Sequence, residues 1–98
     1  MHTKQFPKMD RYVMGLKIFE LLLEILVLVV RAQYARERQK VDALRLVIPP
    51  LDAVKILVRL TRKLEIIDEG AYIKFEEGFH EAGKMLGGWI SDTENKLK

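Results

Sequence analysis

The chain has 98 residues, 49% of them hydrophobic and 32% charged, with no cysteine and a formal net charge of +3. A chain of this length supports one core, so a single domain over residues 1–98 is expected, and its apolar content sets it apart from disordered chains. The absence of cysteine excludes disulfide scaffolds, thiol nucleophiles and thiolate zinc sites, and fits a reducing, cytoplasmic setting.

Residues 1–10 carry Lys4 and Lys8 but no apolar core and no small-residue cleavage site, so they do not read as a secretory signal. The longest apolar tract, Val13 to Val30, contains Lys17, Glu20 and Glu24. Two carboxylates in hydrocarbon would cost about 2.5 kcal/mol or more each, so no membrane span is expected. No stretch alternates apolar and polar residues over strand length, and the Asn-Gly and Asp-Gly hairpin signals are absent, so the chain reads as all-α.

The first predicted helix covers residues 10–36, with Asp10 as its N-cap, after a tail over residues 1–9. Tyr12, Leu16, Phe19, Leu23, Leu26 and Val30 step by four and three along one face. Ile18, Leu22, Ile25 and Val29 make a second row beside them, leaving Lys17, Glu20, Glu24 and Arg31 as a narrow polar stripe. A helix with two apolar rows must be covered on more than one side, which self-association or a central place in a bundle would provide. Ile18, Leu22, Ile25 and Val29 are therefore candidate oligomer or packing residues.

The charged run Arg36 to Lys40 is the expected turn, with Asp42 as a cap for a second helix over residues 41–64. Leu44, Val47, Leu51, Val54, Leu57, Leu60 and Leu64 are placed toward an interior, and Arg45, Lys55, Arg59 and Arg62 on the other side. Pro49 and Pro50 interrupt this segment, because neither donates a backbone hydrogen bond and each ring crowds the carbonyl four residues earlier. A kink or break is expected there, for instance a helix ending near Ile48 and another beginning at Pro50.

Glu65 to Gly70 reads as the next turn, with Asp68 capping a third helix over residues 69–90. Its apolar row is Tyr72, Phe75, Phe79, Ala82, Leu86 and Trp89 or Ile90. Gly78, Gly83, Gly87 and Gly88 are costly in a helix, at roughly 1 kcal/mol each, and suggest close backbone packing beside Trp89. Residues 91–98 read as a polar, frayed tail.

Charge divides the chain into blocks. Residues 1–30 sum to +1 (four basic, three acidic), residues 31–63 to +6 (nine and three) and residues 64–98 to −4 (four and eight). The basic block, Arg31, Arg36, Arg38, Lys40, Arg45, Lys55, Arg59, Arg62 and Lys63, has the chemistry to neutralise phosphates without reading sequence, and otherwise forms a solvated helix face. No aromatic residues interleave with it, so base stacking has little support. His80 lies one turn from Glu76 and from Lys84 but has no second histidine nearby, so no metal site is expected. Glu76, Glu77 and Glu81 read as an acidic surface, and Trp89 as a packing anchor or the mark of a partner pocket. No phosphate loop, serine nucleophile elbow or carboxylate–histidine constellation occurs, so enzymatic activity and cofactors are not expected.

The segment Glu81-Ala82-Gly83-Lys84-Met85-Leu86-Gly87-Gly88-Trp89-Ile90 resembles the closing signature of the accessory variability determinant (Avd) proteins of diversity-generating retroelements. These belong to a wider group of four-helix-bundle proteins that includes those encoded in 23S rRNA intervening sequences. The resemblance extends through Leu57 to Leu64, Arg31 to Arg36 and Phe6-Pro7-Lys8, and so covers about residues 6–90. It implies an antiparallel helical bundle assembling as a homopentamer, which binds a reverse transcriptase and contacts RNA and DNA through basic surfaces during mutagenic retrohoming. The family has a further helix before the Phe-Pro linker, where this sequence has only Met1 to Gln5, and its second helix is usually continuous across the positions of Pro49 and Pro50. The alternative from the residues alone is a helical self-association module without a nucleic-acid ligand, its basic face meeting its own acidic third segment.

Overall fold

A computed structural model describes residues 8–97 and contains four helices: α1 (Lys8–Tyr34), α2 (Glu37–Arg45), α3 (Ile48–Lys63) and α4 (Glu69–Lys96). No strand occurs among the described residues. His2, Phe6 and Pro7 lie outside them. The three predicted helical segments are present, the second divided into α2 and α3 at Leu46 and Val47.

That division is the break expected from the proline pair, two to three residues earlier than the predicted boundary. Pro49 and Pro50 occupy the first turn of α3, where a missing N–H leaves no intrahelical bond unmade. The turn before α2 is shorter than the charged run suggested. Ala35 and Arg36 separate the helices, Arg36 taking an extended N-cap conformation, and α2 begins at Glu37, whose φ of 49° is left-handed. Asp42 thus lies inside α2, and Asp10 lies in the first turn of α1, so neither takes the N-cap position expected of it.

At the end of α3 the chain turns through Glu65, whose φ of 61° is left-handed. The Glu65 N–H donates to the Arg62 carbonyl at 3.0 Å and the Ile66 N–H to the Thr61 carbonyl at 2.9 Å, the bond pair that closes helices in a Schellman turn. Asp68 then caps α4 as expected, its carboxylate accepting from the Ala71 N–H at 2.7 Å.

α4 runs six residues beyond the predicted end, through the segment read as a frayed tail. Ile90 and Thr93 are buried there, and the Thr93 hydroxyl donates to the Trp89 carbonyl at 2.8 Å. Arg45 of α2 pairs with Glu94 and ties this end to the middle of the chain.

α2 and α3 form the middle of the molecule, with α1 and α4 each packed against both. The buried core consists of Ala32 from α1, Leu44, Val47, Leu51, Val54 and Val58 from the middle segment, and Phe79, Leu86 and Ile90 from α4. Beyond Val54 the inward stripe follows Val58 and Thr61 instead of the predicted Leu57, Leu60 and Leu64; Leu60 is exposed. The Phe75 and Phe79 rings stack with centroids 5.9 Å apart.

The assembly is long and thin, 57 × 21 × 15 Å, with a radius of gyration of 16.2 Å against about 13 Å for a compact domain of this size. α1 shows why. Ile18, Ile25 and Val29 of its second row turn inward, joined by Leu21 and Leu28, while the first row, Tyr12 to Val30, faces solvent. Four of the five α4 glycines do not mark close packing either, since a Cβ at Gly78, Gly83, Gly87 or Gly88 would meet nothing within 4 Å.

Candidate nucleic-acid interface

The basic block folds into two groups. Arg31 closes α1, and Arg36, Arg38 and Lys40 follow across the turn into α2, so four cations lie within ten residues of chain about the α1–α2 turn. Lys55, Arg59 and Arg62 step by four and three along one flank of α3, with Lys63 beside its end. All nine candidates are exposed or half-exposed, as hydrated cations require.

Two of the nine are engaged by α4. Arg45 pairs with Glu94, and the Arg59 Nε lies 3.9 Å from Glu76 Oε1. That Glu76 oxygen is buried and accepts no hydrogen bond, so the guanidinium supplies its nearest compensating charge. Because α4 packs against both α2 and α3, the acidic third of the sequence lies alongside the basic middle third and offsets part of its field. The remaining seven candidates have no ion-pair partner among the described residues.

One juxtaposition was invisible to the sequence reading. A cleft of about 680 Å³ at the α1–α2 corner is lined by Arg36, Lys40, Lys96 and Trp89 together with the acids Glu37 and Asp92. Trp89 is half-buried, one side on the core and the other on this cleft, so an aromatic surface stands beside cations 49 to 53 positions away in sequence. The helical step from Trp89 to Asp92, Thr93 and Lys96 would have indicated the cleft had α4 been extended past Ile90.

The other candidates disperse. Ile18, Ile25, Val29 and Trp89 pack against the core of their own chain, and Leu22 stays 39% exposed. His80, Glu77 and Glu81 are exposed on α4, and no cluster of metal-ligating side chains occurs among the described residues. No helix of the described residues is long and apolar enough to cross a membrane. No family model matches this chain, and no curated protein or solved structure is significantly similar to it. The resemblance to Avd proteins therefore rests on the quoted residues alone.

Proposed function

We propose that this protein is a non-catalytic, self-associating accessory protein of the cytoplasm that holds RNA or DNA by phosphate contacts. Following the Leu86-Gly87-Gly88-Trp89-Ile90 resemblance, its partner is the reverse transcriptase of a diversity-generating retroelement. The observation that carries the polyanion reading is the α1–α2 turn, where Arg31, Arg36, Arg38 and Lys40 fall within ten residues of chain, all at least partly exposed and none in ion-pair contact among the described residues. Each phosphate neutralised there releases condensed counterions, so binding is strong at low salt and indifferent to sequence. Repetition of the corner in an oligomer multiplies weak contacts into useful affinity.

Single-stranded RNA titrated at several salt concentrations tests this. Affinity falls steeply with salt, and Arg36→Glu with Arg38→Glu weakens binding of all sequences alike, as does Arg62→Glu more mildly. Salt-insensitive binding, or none, refutes it.

A second reading, self-association without a nucleic-acid ligand, is favoured by the Arg45–Glu94 and Arg59–Glu76 pairs, which commit basic residues to the chain's own acidic helix. Salt-induced dissociation of the oligomer with no RNA binding would select it.

A further inference from the structure

The largest unexplained feature is apolar surface. A compact monomer of 11.4 kDa presents about 5,800 Å² to solvent. This chain presents 7384 Å². Tyr12, Phe19, Leu23 and Leu26 on the outer row of α1 are 67%, 56%, 45% and 58% exposed, an apolar row of the kind that marks an interaction surface.

Beside that row runs a groove between α1 and α4. Two adjoining cavities of about 520 and 370 Å³ share Ile25, Leu51 and Ala82 and make one trough, floored by Leu51 and walled on the far side by α4. Along the α4 wall, Phe75, Phe79, Met85 and Trp89 alternate with Ala71, Gly78 and Ala82, which carry little or no side chain, and the space above Gly78 is open. At the small residues a helix laid in the trough could approach the α4 backbone closely.

We infer that the outer row of α1 from a second copy fills this trough, and that two copies close reciprocally about a two-fold axis. Length matches: from Tyr12 to Val30 and from Ala71 to Trp89 the helices each advance about 27 Å. Leu22 belongs to both the trough wall and the edge of the row, so the two surfaces are continuous on one helix, as a self-complementary contact needs. Lys74, the charged residue in the trough lining, complements Glu20 and Glu24 in the polar stripe of the incoming helix. A pair of this kind differs from the five-copy ring that the Avd resemblance implies, and it does not depend on RNA binding.

Sedimentation equilibrium of the full chain and two variants tests it. The wild-type protein sediments near twice 11.4 kDa at tens of micromolar. Leu26→Lys, which charges the row, and Gly78→Leu, which fills the trough at a position with room for a side chain, each raise the dissociation constant roughly 30-fold or more. Both keep the wild-type helical circular dichroism, because neither residue is in the core, and both keep wild-type RNA affinity per protomer. A wild-type monomer, a wild-type assembly larger than two, Gly78→Leu pairing like wild type, or a monomer whose α1 is captured by lipid vesicles overturns the inference.

Discussion

The two long helices make opposite use of similar length. α1, with 27 residues, is the more apolar, yet Ala32 is its one fully buried residue. α4, with 28 residues, carries five glycines and a strongly charged face, yet it buries Phe79, Leu86, Ile90 and Thr93, begins on a side-chain cap and is tied down near its end by Glu94. Burial here follows the position of neighbours and not the apolarity of the helix. α4 meets the middle segment with one well-defined stripe, whereas α1 has two stripes and a neighbour for one of them. The unmatched stripe is what the proposed pairing would cover.

The largest effect that separates the two helices is a core truncation. Leu86→Ala, at 9% exposure, is expected to cost about 3 kcal/mol in urea denaturation, through lost transfer energy and the cavity left behind. Leu23→Ala on α1, at 45% exposure, should cost less than about 1 kcal/mol at dilutions where the protein is monomeric. Its cost should then grow with protein concentration as pairing sets in. Equal costs at high dilution would show that α1 is anchored as firmly as α4.

A smaller effect, opposite in sign, probes the weakness of α4. A Cβ at Gly88 meets nothing within 4 Å and its φ is not left-handed, so Gly88→Ala should stabilise by about 1 kcal/mol through helix propensity and a less flexible unfolded chain. The same change at Gly87 should behave alike. Loss of stability from either would mean that these positions are covered in solution. Asp68→Ala works at the other end of the helix. Removing the acceptor of the Ala71 N–H should cost about 1 kcal/mol, and Asp68→Asn should restore most of it.

These contrasts also mark what the sequence made legible. Helical spacing was enough for the all-α class, the proline pair for the break between α2 and α3, and Asp68 for the start of α4, because each acts within a few residues. The inward choice of α1 was not legible, since Ile18, Ile25 and Val29 and the row from Tyr12 to Val30 are equally apolar and only the placement of α3 decides between them. Nor was the course of α4 past Ile90, whose polar residues hide a buried Thr93 bonded back to its own helix. The glycines misled for a related reason, because a missing side chain signals close approach only when something approaches. At the candidate interface the cations were identifiable by type and spacing. Their pairing with Glu76 and Glu94, and the placing of Trp89 beside Arg36 and Lys40, depend on packing between segments distant in the chain.

The smallest effect concerns the end of α4 that the sequence hid. The Arg45 and Glu94 side chains are 54% and 43% exposed, so water and salt screen their attraction, and an exposed pair of this kind contributes roughly 0.2–1 kcal/mol. Arg45→Ala should therefore leave the unfolding midpoint of the whole chain almost unchanged. Its effect should be local, faster amide exchange confined to the turns of α4 after Ile90, where Thr93 and its bond to Trp89 hold the helix alone. Raising salt should bring wild type to the same exchange rates, since screening removes what the substitution removes. The Arg45–Glu94 pair joins α2 to α4 and does not involve α1, so exchange in α1 should be indifferent to the same change. If Arg45→Ala instead loosened α1, the two long helices would be coupled through α2, and their difference in anchoring would be one of degree.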